Sequence, residues 1–204
     1  MFTTPRIAFA LMAATLGNFV FAEFEPILAL RLKDYNASTI QTGMCLSIYG
    51  FVYIIGTIAM PYVPERISKR FILMFSSLFM GIFLFLVGPS QLLGFRENLL
   101  TMVIGLFLTA NFLAPLAIPV LPEMQEATME KFPDFDTQQI GNYNGALFSS
   151  FLGLGQVLGP LFGASTYAAL NFRLTQDIMA LICIVFAILY FFCADGKSAI
   201  IETF

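Results

Sequence analysis

The sequence predicts an all-α, polytopic membrane protein with six transmembrane helices. Hydrophobic residues make up 58% of the 204 residues and charged residues only 11%, whereas soluble domains carry roughly a quarter charged residues. The apolar residues fall into runs of about 20 residues, the length that a helix needs to cross a hydrocarbon core of about 30 Å. Because these runs do not alternate apolar with polar residues, a transmembrane β-barrel is not indicated.

The apolar runs are assigned to one helical bundle, a single domain over residues 1–204. The predicted helices cover residues 5–30, 38–60, 71–87, 98–121, 139–169 and 174–193. Pro5 suits the first turn of the first helix, and Ser38 or Thr39 can cap the second. The third helix is expected to stop at the Gly-Pro pair 88–89.

Two connections between these helices are informative because they are rich in charged residues. The segment 61–70 is basic and punctuated by prolines, and the segment 122–139 is polar and acidic. We expect the second segment to be the longest loop, with room for a short surface helix. Its residues Glu123 and Glu126 are expected to be solvated at the end of the fourth helix.

The distribution of cationic residues predicts the orientation. Six crossings place both termini on one side, and that side holds six Lys and Arg residues against four on the other. An excess of Lys and Arg marks the cytoplasmic side of a membrane protein, so both termini are expected in the cytoplasm. The sequence leaves the organelle open, with a vesicular or endomembrane location favoured and the mitochondrial inner membrane as a second possibility.

The first predicted helix contains two acids in an apolar run. Glu23 and Glu25 point about 200° apart on a helix, whereas Asn18 and Glu25 are seven residues apart and share a face. A charge at mid-bilayer costs about 2.5–3.5 kcal/mol unless it meets water or a partner, and Pro26 can kink the helix beside it. Glu25 is therefore predicted to face a hydrated path. In the alternative interpretation, the apolar crossing ends near Ala22 and both acids lie at the interface.

Three further helices offer polar groups for such a path. Tyr49 and Tyr53 share a face of the second helix and can attract a cation, or they are ordinary packing residues. Asn111 lies on the fourth helix, which Pro115, Pro119 and Pro122 make pliable. The fifth helix carries Gln156 and a glycine stripe, Gly155, Gly159 and Gly163, whose four-residue spacing predicts close helix packing.

Composition argues against several other functions. The chain contains no histidine, which removes the usual general base and metal ligand, so an enzyme, a metal site or a cofactor is not expected. It also lacks the basic cluster of a nucleic-acid-binding protein.

These residues together resemble the carboxy-terminal six-helix half of a major facilitator superfamily transporter, closest to the vesicular amine and polyamine transporter group. The resemblance rests on Asn18 through Pro26 and on "VGPSQLLGF", "IPVLPEM" and "LGPLFGA". It also rests on "PERISKR", a basic loop that contains Glu65, Arg66 and Arg70. Pro61 stands where the loop motif of the family usually has glycine.

The resemblance implies proton-coupled antiport of a small organic cation by alternating access. The substrate and proton site would comprise Glu25, Asn18, Tyr49, Tyr53, Asn111 and Gln156, and gating would involve Pro26, Glu65, Arg66, Arg70 and Pro119. The fold needs two six-helix halves, so the expected partner, besides lipid, is a second half from another chain or a second copy. The alternative is a structural accessory subunit of a larger membrane complex, held by lateral contacts through the glycine stripe.

Overall fold

The computed structural model describes residues 4–64, 66–133 and 136–194, and all regular structure in them is helical. The α-helices in chain order are α1 (Pro5–Asp34), α2 (Thr39–Ala59), α3 (Lys69–Val87), α4 (Leu99–Ala117), α5 (Val120–Lys131), α6 (Thr137–Ala169) and α7 (Phe172–Cys193). Six spans are long and apolar enough to cross a membrane, because α4 and α5 follow each other within one span, Leu99–Lys131. The predicted all-α fold with six membrane-spanning segments is confirmed.

Local sequence signals explain several helix ends. The Ser38 hydroxyl accepts a hydrogen bond from the Gln41 amide at 3.3 Å, and the Gln41 side chain accepts one from the Ser38 amide at 2.8 Å. This reciprocal capping box starts α2 at the predicted position. α3 ends at Val87, directly before Gly88, again as predicted.

Two predicted boundaries are wrong. α1 continues past Leu30 to Asp34, with Arg31 and Lys33 in its last turn, where cations are favourable. The predicted acidic loop is helical up to Lys131, because Pro119 and Pro122 fall at the N-cap and first turn of α5. The amides of a first helical turn have no intrahelical partner, so prolines do not interrupt the helix there.

α1 lies at the centre of the bundle, and α2 and α6 lie at its periphery. In the most apolar 18-residue window of α1, 61% of the residues are buried, compared with 11% for α2 and 11% for α6. α1 packs against α4, α5, α6 and α7, whereas α2 packs mainly against α4. Much of the surface of α2 and α6 is therefore available to lipid or to another protein.

The glycine stripe of α6 packs closely against the backbone of α1. A Cβ built on Gly159 would lie 2.5 Å from the carbonyl oxygen of Phe19, and one on Gly163 would lie 2.8 Å from Cγ of Glu23. The predicted close packing is confirmed, and its partner is α1 of the same chain. Because α1 covers the stripe, the stripe is not free for the lateral contacts with other subunits that the sequence suggested.

Ion pairs define the two ends of the bundle. At the end that holds Pro5 and Cys193, Arg6 of α1 pairs with Glu123 and Glu130 of α5. We call this the terminal end. At the opposite end, Arg173 at the start of α7 lies 3.4 Å from Glu97, in the connection before α4.

Candidate functional site

A cavity of about 400 Å³ lies among α1, α2, α4, α5 and α6. Asn18 and Tyr53 line it together with apolar side chains. The full lining is Gly17, Asn18, Phe21, Tyr53, Leu113, Ala117, Ile118, Leu121, Pro122, Phe148 and Leu152. The structure thus brings two of the predicted site residues to one space, which is apolar apart from a few convergent polar groups, as small-molecule sites usually are.

Asn18 is fixed in the cavity wall by α6. Its Nδ2 donates to the carbonyl oxygen of Leu152 at 2.7 Å, and Thr15 one turn earlier donates to the carbonyl oxygen of Phe151 at 3.1 Å. Two side chains of α1 therefore bind the backbone of α6. The Asn18 carbonyl oxygen remains as a possible acceptor for a ligand in the cavity.

Glu25 lies on the same face of α1 as Asn18, farther from the terminal end than the cavity. Asn18, Phe21 and Glu25 are spaced i, i+3 and i+7, which places them on one helix face. Glu25 is exposed, whereas Glu23 is fully buried on the other side of the helix. The different environments of the two acids agree with the 200° separation expected from the sequence.

Two more predicted site residues lie on the cavity-lining faces of α4 and α6, displaced from the cavity in the same direction as Glu25. Asn111 is seven residues before Ile118 on α4, and Gln156 is four residues after Leu152 on α6. Both are exposed, and helical periodicity places each on the cavity side of its own helix. Asn111 Nδ2 donates to the carbonyl oxygen of Phe107 in its own helix at 2.6 Å.

We call the surface that carries Glu25, Asn111 and Gln156 the polar face. α1 and α6 run away from the terminal end and α4 runs toward it, so all three residues lie between the cavity and the opposite end of the bundle. Three helices thus contribute one polar group each to this surface. Polar groups at bilayer depth ordinarily face a protein interior or a water-filled cavity.

The two predicted tyrosines are in different environments. Tyr53 is half-buried and lines the cavity, with its ring 6.0 Å from that of Phe21. Tyr49 is 3% exposed, stacked on Phe21 at 5.5 Å and edge-on to Phe24 at 5.3 Å. Tyr49 is therefore a core side chain in this conformation, and Tyr53 is the tyrosine placed to meet a ligand.

The predicted gating prolines lie inside helical stretches. Pro26 is half-buried within α1, which remains helical on both sides of it. Pro119 is buried at the junction of α4 and α5, and it lines a second cavity of about 540 Å³ with Pro61, Lys69 and Glu126. The second cavity lies between the α4–α5 junction and the connection from α2 to α3.

The basic loop contributes to a charged cluster at the terminal end. Arg66 is exposed and Arg70 is buried, and both line a space of about 370 Å³ with Arg6, Glu123 and Glu126. Glu65, the remaining predicted gating residue, lies outside the described residues.

Glu123 corrects the sequence prediction. Its side chain is 2% exposed and pairs with Arg6, and Arg70 Nε lies 3.8 Å from the same oxygen. The expected solvation holds better for Glu126, whose side chain is 44% exposed and pairs with Lys69. The sequence prediction failed at Glu123 because it expected this segment, including any short helix in it, to lie at the surface, whereas α5 turns Glu123 toward Arg6 of α1 and Arg70 of α3.

Two features at the opposite end were not predicted. Arg173 Nε donates to the carbonyl oxygen of Pro89 at 2.6 Å and its Nη2 to that of Phe95 at 2.7 Å. Asp177 Oδ2 accepts from the amides of Gln91 and Leu92 at 3.1 and 3.3 Å. The guanidinium of Arg173 and the carboxylate of Asp177, one turn apart in α7, therefore both bind the backbone of the connection between α3 and α4. In the sequence, the only local indication of these contacts is that Arg173 and Asp177 stand four residues apart at the start of a helix.

A buried polar pair joins α1 to α7. Gln176 Nε2 donates to Glu23 Oε1 at 3.0 Å, and both side chains are fully buried. In the sequence, Gln176 is one of several polar residues at the start of α7, and nothing placed it near Glu23, 153 residues away.

The helical fold and its six apolar spans define an integral, multi-pass membrane protein, with a largely apolar cavity that Asn18 and Tyr53 line. The sequence matches the model of the Major Facilitator Superfamily over residues 7–202. The chain therefore belongs to the Major Facilitator Superfamily, whose members are membrane transporters rather than enzymes. A comparison with curated proteins gave no match.

Proposed function

We propose that this chain is half of a secondary active transporter that exchanges protons for a small organic cation of the amine or polyamine class. The observation that carries the proposal is the polar face. Glu25, Asn111 and Gln156 extend the cavity-lining stripes of three helices, and all three are exposed in the isolated bundle. A second six-helix half against this face would enclose the polar groups in one central path.

The chemistry of the site suits a cation. Glu25 supplies a carboxylate that either a proton or an ammonium group can neutralise, so binding of one competes with binding of the other. The ring of Tyr53 at the cavity offers a face that attracts cations by about 0.5–2 kcal/mol. The Asn18 and Gln156 side chains add neutral acceptors, so Glu25 remains the single anionic group among the proposed site residues.

The proposed partner is a second six-helix half, supplied by another chain or by a second copy of this one. The exposed apolar surface of α2 supports such a partner. Tyr49 and Val52 are the only buried residues of α2, and bulky apolar side chains such as Phe51 and Ile55 are exposed. Alternating access would then rock one half against the other. We place both termini in the cytoplasm, following the excess of Lys and Arg at that end.

Transport into liposomes tests the proposal. The protein is purified from its native membrane with the chains that accompany it, reconstituted, and supplied with labelled polyamine under an imposed pH gradient. We expect uptake that requires the gradient, is lost in Glu25→Gln and is partly kept in Glu25→Asp. Asp34→Asn is the matched control, since Asp34 is an exposed carboxylate of the same helix.

Equal uptake by the native protein and Glu25→Gln would refute the role of Glu25. The composition of the purified assembly distinguishes the structural-subunit alternative. A fixed stoichiometry with many unrelated subunits and no gradient-driven uptake would favour that alternative, whereas one further six-helix half supports the transporter.

A further inference from the structure

Glu23 is a buried acid that the proposed transport path does not use. It is 0% exposed, and its Oε1 accepts a hydrogen bond from Gln176 Nε2 of α7 at 3.0 Å. α6 closes the site from another side, because a Cβ on Gly163 would lie 2.8 Å from Cγ of Glu23. Three helices therefore enclose the carboxyl group.

Two buried oxygen atoms of the Glu23–Gln176 pair receive no hydrogen bond from any described residue. Glu23 Oε2 and Gln176 Oε1 are both buried, and neither has a hydrogen-bond partner in the described part of the chain. An ionised carboxylate and an amide carbonyl are both acceptors only, so they cannot satisfy each other. A single hydrogen between them would satisfy both, because a carboxylic acid and a primary amide each offer one donor and one acceptor side by side.

The surroundings do not compensate a negative charge. Among the described residues, no Lys or Arg interacts with Glu23, and its one partner is the neutral side chain of Gln176. The titratable neighbours are the phenol of Tyr49 on α2 and the thiol of Cys183 on α7. Neither carries a positive charge in any protonation state, and a buried charge without a partner is strongly unfavourable.

The remaining neighbours add no cation either. Asp177 follows Gln176 on α7, but its Oδ2 is occupied by the backbone amides of Gln91 and Leu92. From α6, the contacts to this part of α1 come from Gly159 and Gly163, which have no side chain to ionise. Among the described residues, no element packed against the carboxyl group therefore supplies a cation to balance a negative charge on Glu23.

We propose that Glu23 is a proton-binding site, in which the bound proton lies on Oε2 and the O–H group donates to Gln176 Oε1. The ligand is a proton, and the bound state is a cyclic pair with two hydrogen bonds between α1 and α7. The site is separate from Glu25, which is exposed on another face of α1. Release of the proton leaves two buried oxygens unpaired, so the occupancy of Glu23 sets how firmly α1 is held to α7.

Infrared spectroscopy of the purified protein tests this proposal without any transport assay. A protonated carboxyl group has a C=O stretching band that is separate from the bands of carboxylates. At neutral pH we expect such a band in the native protein, its loss in Glu23→Gln and its retention in Glu25→Gln. In Gln176→Leu the band should move to higher frequency, because the carboxyl group loses its hydrogen-bonded partner.

Thermal unfolding gives a second readout. Glutamine at position 23 can form the same two hydrogen bonds with Gln176 without a proton, so Glu23→Gln should change Tm by about 2 °C or less. A pH dependence of Tm that is due to Glu23 should be present in the native protein and in Glu25→Gln. It should be absent in Glu23→Gln. A large loss of stability in Glu23→Gln at neutral pH would indicate an ionised Glu23 and overturn the proposal.

A double variant provides the test if Glu23→Gln cannot be purified. The double variant Glu25→Gln with Asp177→Asn removes the two other carboxyl groups of the described spans that have no Lys or Arg partner, and it leaves Glu123 in its arginine pair. A protonated-carboxyl band at neutral pH in this variant supports the proposal, and the absence of that band refutes it. Failure of the transport proposal alone would leave all these bands unchanged.

Discussion

Gly159 of α6 lies directly against the carbonyl oxygen of Phe19 in α1, and a Cβ at position 159 would be 2.5 Å from that oxygen. No side chain can adjust to relieve this contact, since the obstructing atom belongs to the backbone. The packing of α1 against α6 therefore requires glycine at this position.

Gly159→Ala should destabilise the protein by about 1–3 kcal/mol, the usual effect of overpacking. Thermal unfolding in detergent measures the change. Gly145→Ala is the matched control in the same helix, because a Cβ at Gly145 meets nothing within 4 Å. Equal Tm values for the two variants would show that α6 can move away from α1 without loss of stability.

Glu123 should be far more sensitive to substitution than Glu130, although both pair with Arg6. Glu123 has a side chain 2% exposed and also approaches Arg70, whereas the Glu130 side chain is 69% exposed. Removal of one partner from a buried ion pair costs about 3–5 kcal/mol, and an exposed pair contributes up to about 1 kcal/mol. Denaturation of Glu123→Gln and Glu130→Gln side by side measures the two contributions. Similar effects would mean that water reaches the Glu123 carboxylate.

Asn18 should contribute more to stability than Asn111, although both donate to a backbone carbonyl. Asn18 Nδ2 reaches Leu152 of another helix, whereas Asn111 Nδ2 reaches Phe107 of its own helix. We expect Asn18→Ala to cost about 1 kcal/mol, the net worth of one hydrogen bond, and Asn111→Ala to cost less. Unfolding midpoints of the two variants provide the comparison, and a reversed order would contradict the assigned bond between α1 and α6.

Arg173 should control the order of the connection between α3 and α4. Its guanidinium donates to the carbonyl oxygens of Pro89 and Phe95, which lie on either side of a turn. In Arg173→Ala, amide hydrogen exchange in residues 90–95 should speed up about tenfold or more, since hydrogen bonds to a charged group contribute about 1.5–3 kcal/mol. Arg96→Ala is the control, because Arg96 is an exposed cation in the same connection. Unchanged exchange in Arg173→Ala would show that Asp177 holds the turn by itself.

The sequence predicted the features that depend on local chemistry. Apolar run length gave the six spans, the Ser38 and Gln41 pair gave the start of α2, and the spacing of Gly155, Gly159 and Gly163 gave a close helix contact. Helical periodicity also separated the environments of Glu23 and Glu25 correctly. Each of these signals lies within a few turns of one helix.

The features that failed or were missed depend on contacts between distant segments. Glu123 is buried because Arg6 and Arg70 meet it from α1 and α3, and no local pattern in α5 shows this. The pairing of Glu23 with Gln176 was not predicted, since the two residues are 153 positions apart in the chain. The assignment of proton and substrate roles to Glu25, Tyr53, Asn111 and Gln156 stays a prediction.

Ile118 and Pro122 line both of the two larger cavities, the one beside Asn18 and the one beside Lys69. Both side chains therefore lie in the wall between these spaces, where α4 gives way to α5 at Pro119. A change in the bulk of residue 118 would therefore alter the volumes of both spaces at once.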